Sequence, residues 1–433
     1  MRRFIANLQL VGVIALPLVG LFVGPGSFFD GILLIGIAAW LLWLLGITAG
    51  LRALPGSTAG RLAVLGLVAL TVIYALSILK SPDKPAAAGN LTVALTYLGW
   101  LLAAGSAFSD SGRHKIAEPL AWGASLLAAT WGLSERLAPG VVHFSTSKLA
   151  FGRLLEPIGY WNAMGALAGV GLVLAAGLIS SQERPQLMRA VAAATSPLLM
   201  TALWLSFSRG ALAATACGLA ALCAAAGSWR ATRTVGYIGA IGVATAVLCE
   251  ALPGSKEVLG HLAQRKSDAS LLLIGLIGLA IAAAALQWLD QHHFGRVPKR
   301  LPTPWLRSAV VAAVLLGLLP GLIVVTNSGD SATPAAATGA DVGRLQSLES
   351  NRSKYWSVAL KQFESSPITG GGSGSFRAVW SRSPEGTTPA LNAHSLEIEV
   401  LAELGLLGAL ALLLQITGLW VAGSRRRMVQ SGS

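Results

Sequence analysis

Charged residues are scarce in this chain. Asp, Glu, Lys and Arg make up 12% of its 433 residues and hydrophobic residues make up 54%, whereas a soluble globular domain carries roughly 25% charged residues. Apolar runs close to membrane-spanning length, about 20 residues, recur from one end of the sequence to the other. The composition therefore excludes an ordinary soluble enzyme and predicts an all-α, polytopic membrane protein.

Cysteine is nearly absent, and the sequence shows no familiar metal or phosphate motif. The three cysteines, Cys217, Cys223 and Cys249, lie in apolar runs without a CxxC spacing, which is typical of small buried side chains. The acidic residues form no D-x-D motif, and the glycine cluster from Gly370 to Gly374 lacks the Lys-Ser/Thr of a P-loop. We therefore expect no metal ion and no cofactor. We expect the glycine cluster to form a tight turn that brings the backbone close to the helices.

Twelve apolar runs are predicted to cross the membrane. Their bounds are Ile5–Val23, Ile32–Leu51, Leu62–Leu79, Leu91–Phe108, Leu120–Leu133, Ile158–Ile179, Ala190–Phe207, Ala211–Gly227, Val235–Leu252, Leu271–Leu289, Ala309–Thr326 and Leu396–Val421. Only three residues separate the seventh run from the eighth, so a tight hairpin must join them. This division gives membrane helices 1–11 in residues 1–326, a long outer loop with an amphipathic helix in 327–395, and the last helix with a basic tail in 396–433.

The excess of basic residues indicates how the chain is oriented. Lys and Arg outnumber Asp and Glu by 32 to 19, which leaves a net charge of +13. When the N-terminus is placed in the cytoplasm, the cytoplasmic segments carry 17 basic and 4 acidic residues, which accounts for the whole net charge. This distribution follows the positive-inside rule, so it gives no indication of binding to nucleic acid. Both termini are predicted to be cytoplasmic, and the long loop is predicted to lie outside.

Two arginines near the outer ends of membrane runs are candidates for binding an anion. Arg209 lies in W-L-S-F-S-R-G-A-L, where almost no loop lifts it into water. A charge at that depth is costly unless it is paired or lines a polar cavity, although it could also extend towards the surface as a loop residue. Arg153 opens R-L-L-E-P-I-G-Y-W-N-A-M-G, where Glu156 could instead pair with it.

The long loop supplies two further arginines. Arg352 precedes a predicted amphipathic helix, Ser350 to Phe363, and shares a face with Trp356, Leu360 and Phe363 at helical spacing. That face should lie on the membrane surface or on the helix bundle, so Arg352 would point into the mouth of the bundle. Arg344, in R-L-Q-S-L, is a second candidate.

His394 is the only histidine in the long loop, and it begins the last membrane helix. We expect Asn392 to cap that helix. A helix N-terminus disfavours the imidazolium form, which would keep His394 neutral and able to accept a proton, whereas Glu397 acts in the opposite direction. The histidine could alternatively be a capping or interfacial residue. Several arginines and one neutral histidine together indicate an anionic substrate, a pyrophosphate above all, at the outer membrane face.

These segments resemble the O-antigen ligase and O-antigen polymerase family of bacterial envelope glycosyltransferases. The stretch from His394-Ser395 through nine residues to Gly405, then two residues to Gly408, is similar to the ligase pattern. The segment R-S-K-Y-W and the following P-I-T-G-G-G-S-G-S-F are similar to the family's Arg-x-x-x-Trp and Pro-x-x-Gly-x-Gly-x-x-x-Phe patterns. The segments around Arg153 and Arg209 also look like family segments. The resemblance extends from Arg153 to about Leu414.

The resemblance implies a GT-C-type fold in the bacterial inner membrane, with about twelve helices and a long periplasmic loop before the last. It implies transfer of a glycan from an undecaprenyl-pyrophosphate donor to an acceptor hydroxyl, with inversion and without a metal. His394 would be the general base, Arg209 and Arg352 would hold the pyrophosphate, and Arg153 and Arg344 would support them.

The sequence departs from the family pattern at one point, which leaves open whether Arg344 or Arg352 is the main pyrophosphate ligand of the loop. The ligase loop motif is usually Arg-x-x-x-Leu, which fits Arg344 and Leu348, whereas Arg352 and Trp356 fit the broader family form.

Other functions remain open from the sequence. A polymerase of the same family would lengthen the lipid-linked glycan, and a related enzyme would transfer it to protein. The single dominant outer loop favours a ligase. A transporter of a lipid-linked or anionic substrate would need polar or broken helices near the middle of the membrane, whereas the runs here are rich in Ala, Leu and Gly.

Overall fold

The structure is a computed structural model. It describes residues 2–22, 28–108, 114–144, 152–256, 258, 260–293, 352–384 and 390–430. These residues are helical almost throughout, and an isolated bridge between Pro139 and Val142 is the only extended pairing among them. The predicted all-α fold class is confirmed for this part of the chain.

Fourteen α-helices are found in the described residues. They are α1 (Arg2–Phe22), α2 (Phe28–Thr48), α3 (Thr58–Ser77), α4 (Lys84–Ala107), α5 (His114–Leu137), α6 (Trp161–Ser180), α7 (Gln186–Ala194), α8 (Ser196–Leu205), α9 (Arg209–Ala226), α10 (Trp229–Ala251), α11 (Leu262–His293), α12 (Arg352–Ser365), α13 (Ser375–Arg382) and α14 (Leu396–Gln430). A short 3₁₀ helix, Pro253–Ser255, follows α10.

Ten helical segments of the described chain are long and apolar enough to cross a membrane. The chain is therefore a polytopic membrane protein, as predicted. Helix α5 covers the fifth predicted run but is not among the ten, and the run Ala309–Thr326 lies outside the described residues. The number twelve accordingly stays a prediction, and so do the three sequence regions proposed above.

The chain divides into two compact units. The first unit comprises Met1–His114 and Glu349–Ser433, and thus joins the first four helices to the last three. Within it, α14 packs along α3 with close backbone approach, because a Cβ atom on Gly418 would lie 2.5 Å from the backbone nitrogen of Ala63. Small residues permit such contacts between membrane helices. Apolar side chains of α3, α4 and α14 form the core around this contact.

The second unit is Lys115–Leu348, and its described helices run from α5 to α11. Helix α6 packs against α8 and α9, while α11 packs against α7 and α10. The turn between α8 and α9 is as tight as predicted: Phe207 adopts φ +48°, and the Ser208 hydroxyl accepts a hydrogen bond from the Ala211 N–H at 3.3 Å. This serine cap lets α9 begin at Arg209, directly after the hairpin.

Candidate active site

Helix α14 is interrupted at Gly405, and the segment between α12 and α13 inserts into the break. Gly405 has φ +67° and ψ −162°, values that helices exclude and that glycine alone adopts readily. The N–H groups of Leu406 and Leu407 donate to the carbonyls of Pro367 and Ile368 at 2.8 and 3.2 Å. The loop thus replaces helical hydrogen bonds that the break removes.

The loop makes matching hydrogen bonds to the preceding turn of α14. The N–H groups of Gly371 and Gly372 donate to the carbonyls of Ala402 and Glu403 at 3.0 and 2.9 Å. Backbone groups freed on both sides of the break are therefore satisfied by one segment of loop. A broken membrane helix is also a feature of transporters, but here the break is occupied by hydrogen-bonded backbone.

The glycine cluster forms the tight turn that the sequence predicts. Gly370, Gly372 and Gly374 all have positive φ, between +66° and +97°. A Cβ atom on Gly370 would collide with the Glu403 backbone, and one on Gly372 would lie 2.8 Å from the Ser81 nitrogen. The turn is therefore glycine-rich because its backbone approaches α14 and the α3–α4 connection directly, and the prediction of close backbone approach is confirmed.

Glu403 holds this turn from inside the first unit. The residue is only 3% exposed. Its Oε2 accepts from the Gly374 N–H at 2.7 Å, and its Oε1 accepts from the Phe376 N–H at 3.0 Å. These two hydrogen bonds anchor α13 and the glycine turn to α14.

His394 lies two residues before α14, in a backbone conformation that few non-glycine residues adopt. Its φ is +55°, in the left-handed region where His is nevertheless enriched. Two hydrogen bonds fix the turn: Asn392 Oδ1 accepts from the His394 N–H at 3.2 Å, and Glu399 Oε2 accepts from the Ala393 N–H at 2.9 Å. Strained backbone held by its surroundings is common at functional sites.

The prediction that Asn392 caps α14 is wrong. Its carboxamide is used within the turn that carries His394. Ser395 takes the capping position instead, because its carbonyl accepts from the Glu399 N–H at 3.0 Å and its hydroxyl lies 3.5 Å from the Ile398 nitrogen. The helix therefore begins at Leu396 rather than at His394.

The His394 ring packs beside Tyr355 of α12. The two ring centroids lie 5.2 Å apart, and the Tyr355 ring contacts Trp380 of α13 edge-on at 4.6 Å. Partial burial lowers the pKa of His394, and the nearby Arg352 guanidinium lowers that pKa further. The predicted direction is confirmed, although the causes are burial and Arg352 rather than the helix N-terminus. His394 stays exposed to solvent, so it is open to a substrate, and its lowered pKa favours the neutral imidazole.

Helix α12 confirms the predicted loop helix. The structure buries Tyr355, Val358, Ala359 and Gln362, and this stripe meets α13 and α14. Trp356 and Leu360 are exposed, so the predicted face is not buried against the described helices, and its placement on the membrane surface stays a prediction. Arg352 is exposed at the start of α12, one turn from Tyr355.

The second unit brings Arg153 and Arg209 to one end. The Leu154 N–H donates to the Leu205 carbonyl at the end of α8, at 2.8 Å, and α9 begins four residues later with Arg209. Arg153 is buried, with its guanidinium 3.7 Å above the Trp161 ring. Arg209 is half-buried. These two residues thus share one end of the second unit, and Arg352 and His394 are neighbours in the first. Arg344 lies outside the described residues.

A family model described as O-antigen ligase matches residues 193–413. The match covers just over half of the chain and includes Arg209, Arg352 and His394. The chain belongs to the O-antigen ligase family. Membership means that this O-antigen ligase homologue is a membrane enzyme of the kind that transfers glycans. The segment around Arg153 precedes the matched range, and a comparison with curated proteins found no match.

Several residues of this O-antigen ligase homologue were not singled out from the sequence. Tyr355 could have been found, since it lies one turn from Arg352 on the predicted helix. Glu399 and Glu403 could have been found as acids in an apolar run, which is a costly placement. No sequence pattern distinguished Arg136 from the other arginines that were predicted to lie outside. In the structure Arg136 is 3% exposed and donates to the Gly152 carbonyl at 2.7 Å, while its Nε and Nη1 have no hydrogen-bond partner among the described residues.

Proposed function

We propose that the chain transfers a glycan from an undecaprenyl-pyrophosphate donor to an acceptor hydroxyl at the periplasmic face of the bacterial inner membrane. Both termini would then face the cytoplasm. The observation that carries the proposal is the placement of His394, which occupies a fixed left-handed turn under the charge of Arg352 and has a lowered pKa. An accessible imidazole whose neutral form is favoured suits a general base.

In the proposed reaction, His394 accepts the proton of the acceptor hydroxyl as its oxygen attacks the anomeric carbon of the donor. The attack comes from the face opposite the pyrophosphate, so the configuration inverts. The bond between the anomeric carbon and the pyrophosphate oxygen breaks, and undecaprenyl pyrophosphate leaves with the electron pair. The protonated His394 then releases its proton to solvent.

Arginines would stabilise the leaving pyrophosphate. Arg352 and Arg209 are the proposed main ligands, with Arg153 and Arg344 in support, because planar guanidinium groups bind phosphate oxygens in pairs and remain charged. Arg136 adds positive charge at the end of the second unit that holds Arg153. Charge neutralisation at the leaving group is the larger part of catalysis in such a mechanism, and it requires no metal ion.

Reconstitution of the full-length chain into liposomes tests the proposal. The liposomes would contain an undecaprenyl-pyrophosphate-linked glycan and candidate acceptors, and gel analysis would follow product size. We expect a ligated product that disappears with His394→Ala and persists with Arg382→Gln, an exposed arginine of α13. A lengthened lipid-linked glycan would identify a polymerase instead. Undiminished transfer by His394→Ala would contradict the assignment of the base.

A further inference from the structure

A pocket of about 360 Å³ opens in the first unit beside the turn that carries His394. Its polar lining consists mainly of Asn90, Arg377, Asn392, Glu399 and Glu403, and apolar side chains of α2 and α4 complete the wall. The volume falls within the range of small-molecule sites, about 300–1,000 Å³. Asn392 belongs both to the pocket and to the turn, since its Oδ1 accepts the His394 N–H.

The pocket presents unused hydrogen-bonding groups of both kinds. Arg377 has no hydrogen bond or ion pair within the described structure. Among the described residues, Asn90 donates from its Nδ2 to Ser373 Oγ at 2.9 Å and makes no hydrogen bond through its Oδ1. Within the same part of the chain, Glu399 accepts through Oε2 only and Asn392 accepts through Oδ1 only, so the Glu399 Oε1 and the Asn392 Nδ2 have no partner there. A ligand here must both donate and accept hydrogen bonds.

The hydrogen-bonding groups of the lining favour hydroxyls over a phosphate. Two carboxyl groups, of Glu399 and Glu403, lie in the same lining as a single guanidinium, that of Arg377. Carboxyl oxygens accept hydrogen bonds from hydroxyls, whereas an unprotonated phosphate has no hydrogen bond to donate, and a guanidinium donates to hydroxyl oxygens. Mixed donors and acceptors beside apolar side chains such as Ile32 and Val93 match a sugar ring, which has hydroxyl edges and apolar faces.

We propose that this pocket binds the acceptor sugar, the ring whose hydroxyl is glycosylated. The inference rests on the proposed function, because the base must lie within reach of the hydroxyl that it deprotonates. Arg377 and Glu399 hold the sugar ring by its hydroxyls. Asn392 lines the pocket and also accepts the His394 N–H, so it fixes the position of the sugar relative to His394. The donor pyrophosphate is bound elsewhere, by the arginines named above.

Saturation-transfer NMR on the full chain in nanodiscs tests the proposal, with a panel of methyl hexosides as probes. We expect wild type, His394→Ala and Arg382→Gln to bind at least one hexoside. Arg377→Gln should weaken that binding about ten-fold or more, the effect of one charge-assisted hydrogen bond. Arg377 makes no hydrogen bond or ion pair with the rest of the described structure, and Arg382 is a matched arginine on the same helix. Glu399→Gln serves as the second variant and should weaken binding likewise.

Three results would overturn the proposal. These are no hexoside binding by wild type, equal binding by wild type and Arg377→Gln, or a loss of inorganic pyrophosphate binding in Arg377→Gln with hexoside binding unchanged. In the transfer assay, Arg377→Gln should raise the KM for the acceptor while the KM for the donor stays within two-fold. If His394 is not the base, His394→Ala stays active while the hexoside results stand, so the two failures are distinguishable.

Discussion

Replacing Gly405 with alanine should release the segment between α12 and α13 from α14. The glycine adopts φ +67° and ψ −162°, and a Cβ atom there would collide with the backbone of Ile368 and lie 2.7 Å from the Gly370 nitrogen. Because the atoms met are backbone atoms, no side-chain rotation relieves the collision. Alanine also favours helix over the broken conformation. The loop segment must therefore move out for α14 to continue.

The magnitude follows from what the substitution removes. The conformation costs a non-glycine residue about 1–3 kcal/mol. Four backbone hydrogen bonds join residues 367–372 to residues 402–407, and each contributes about 0.5–1.5 kcal/mol net. If the collision breaks all four, the strain is relieved and the docked loop is destabilised by the lost bonds, roughly 2–6 kcal/mol. Even the lower limit shifts docking about 30-fold, since about 1.4 kcal/mol corresponds to a factor of ten.

Hydrogen exchange measured by mass spectrometry checks this directly. The amides of Gly371 and Gly372 should exchange far faster in Gly405→Ala, and glycan transfer should fall because the same segment supports α13 and the His394 turn. Gly423→Ala is the matched control in α14, because a Cβ atom at Gly423 would meet nothing within 4 Å. Wild-type exchange at residues 366–376 together with wild-type transfer in Gly405→Ala would refute the reasoning.

Three further predictions concern the proposed chemistry. Arg352→Gln removes a charge that lowers the pKa of His394, so that pKa should rise. The acid limb of the pH profile of kcat should then move to higher pH. Arg352→Lys keeps the charge and should leave the limb in place. Arg209→Lys should reduce transfer at least about ten-fold, because an ammonium cannot replace the paired hydrogen bonds of a guanidinium, and a wild-type rate would rule out a clamp. Transfer should survive treatment with EDTA, and restoration of lost activity by a divalent cation would overturn the metal-free mechanism.

The features that the sequence predicted are those set by local pattern. Apolar runs locate helices because each run carries its own signal, and eleven of the twelve runs coincide with described helices. The loop helix follows from spacing within a few residues, and the glycine turn follows from the need for positive φ. The stripe that α12 buries was not predicted, because it depends on α13 and α14, which pack on Tyr355 from further along the chain.

The features that the sequence did not predict depend on distant partners. The Ser81 hydroxyl donates to the Ser373 carbonyl at 2.6 Å, and the Lys80 ammonium to Thr369 Oγ1 at 2.6 Å, across almost 300 residues of chain. The local sequence around either residue of such a contact shows no pattern that indicates its partner. The break at Gly405 is similar: a glycine within an apolar run is ordinary in membrane helices, and only the inserted loop makes it a break.

The break also explains how acidic residues are accommodated in an otherwise apolar helix. The acids of α14, Glu399 and Glu403 among them, all precede Gly405, and a carboxylate in the hydrocarbon core is costly. A membrane helix needs about 17–25 residues, so residues 406–423 are long enough to cross the bilayer without the first turns of α14. Those turns hold the glycine turn and the turn of His394 by the carboxyl groups of Glu403 and Glu399. The candidate site therefore lies where α14 is interrupted, and we expect Gly405 to be as necessary to it as His394.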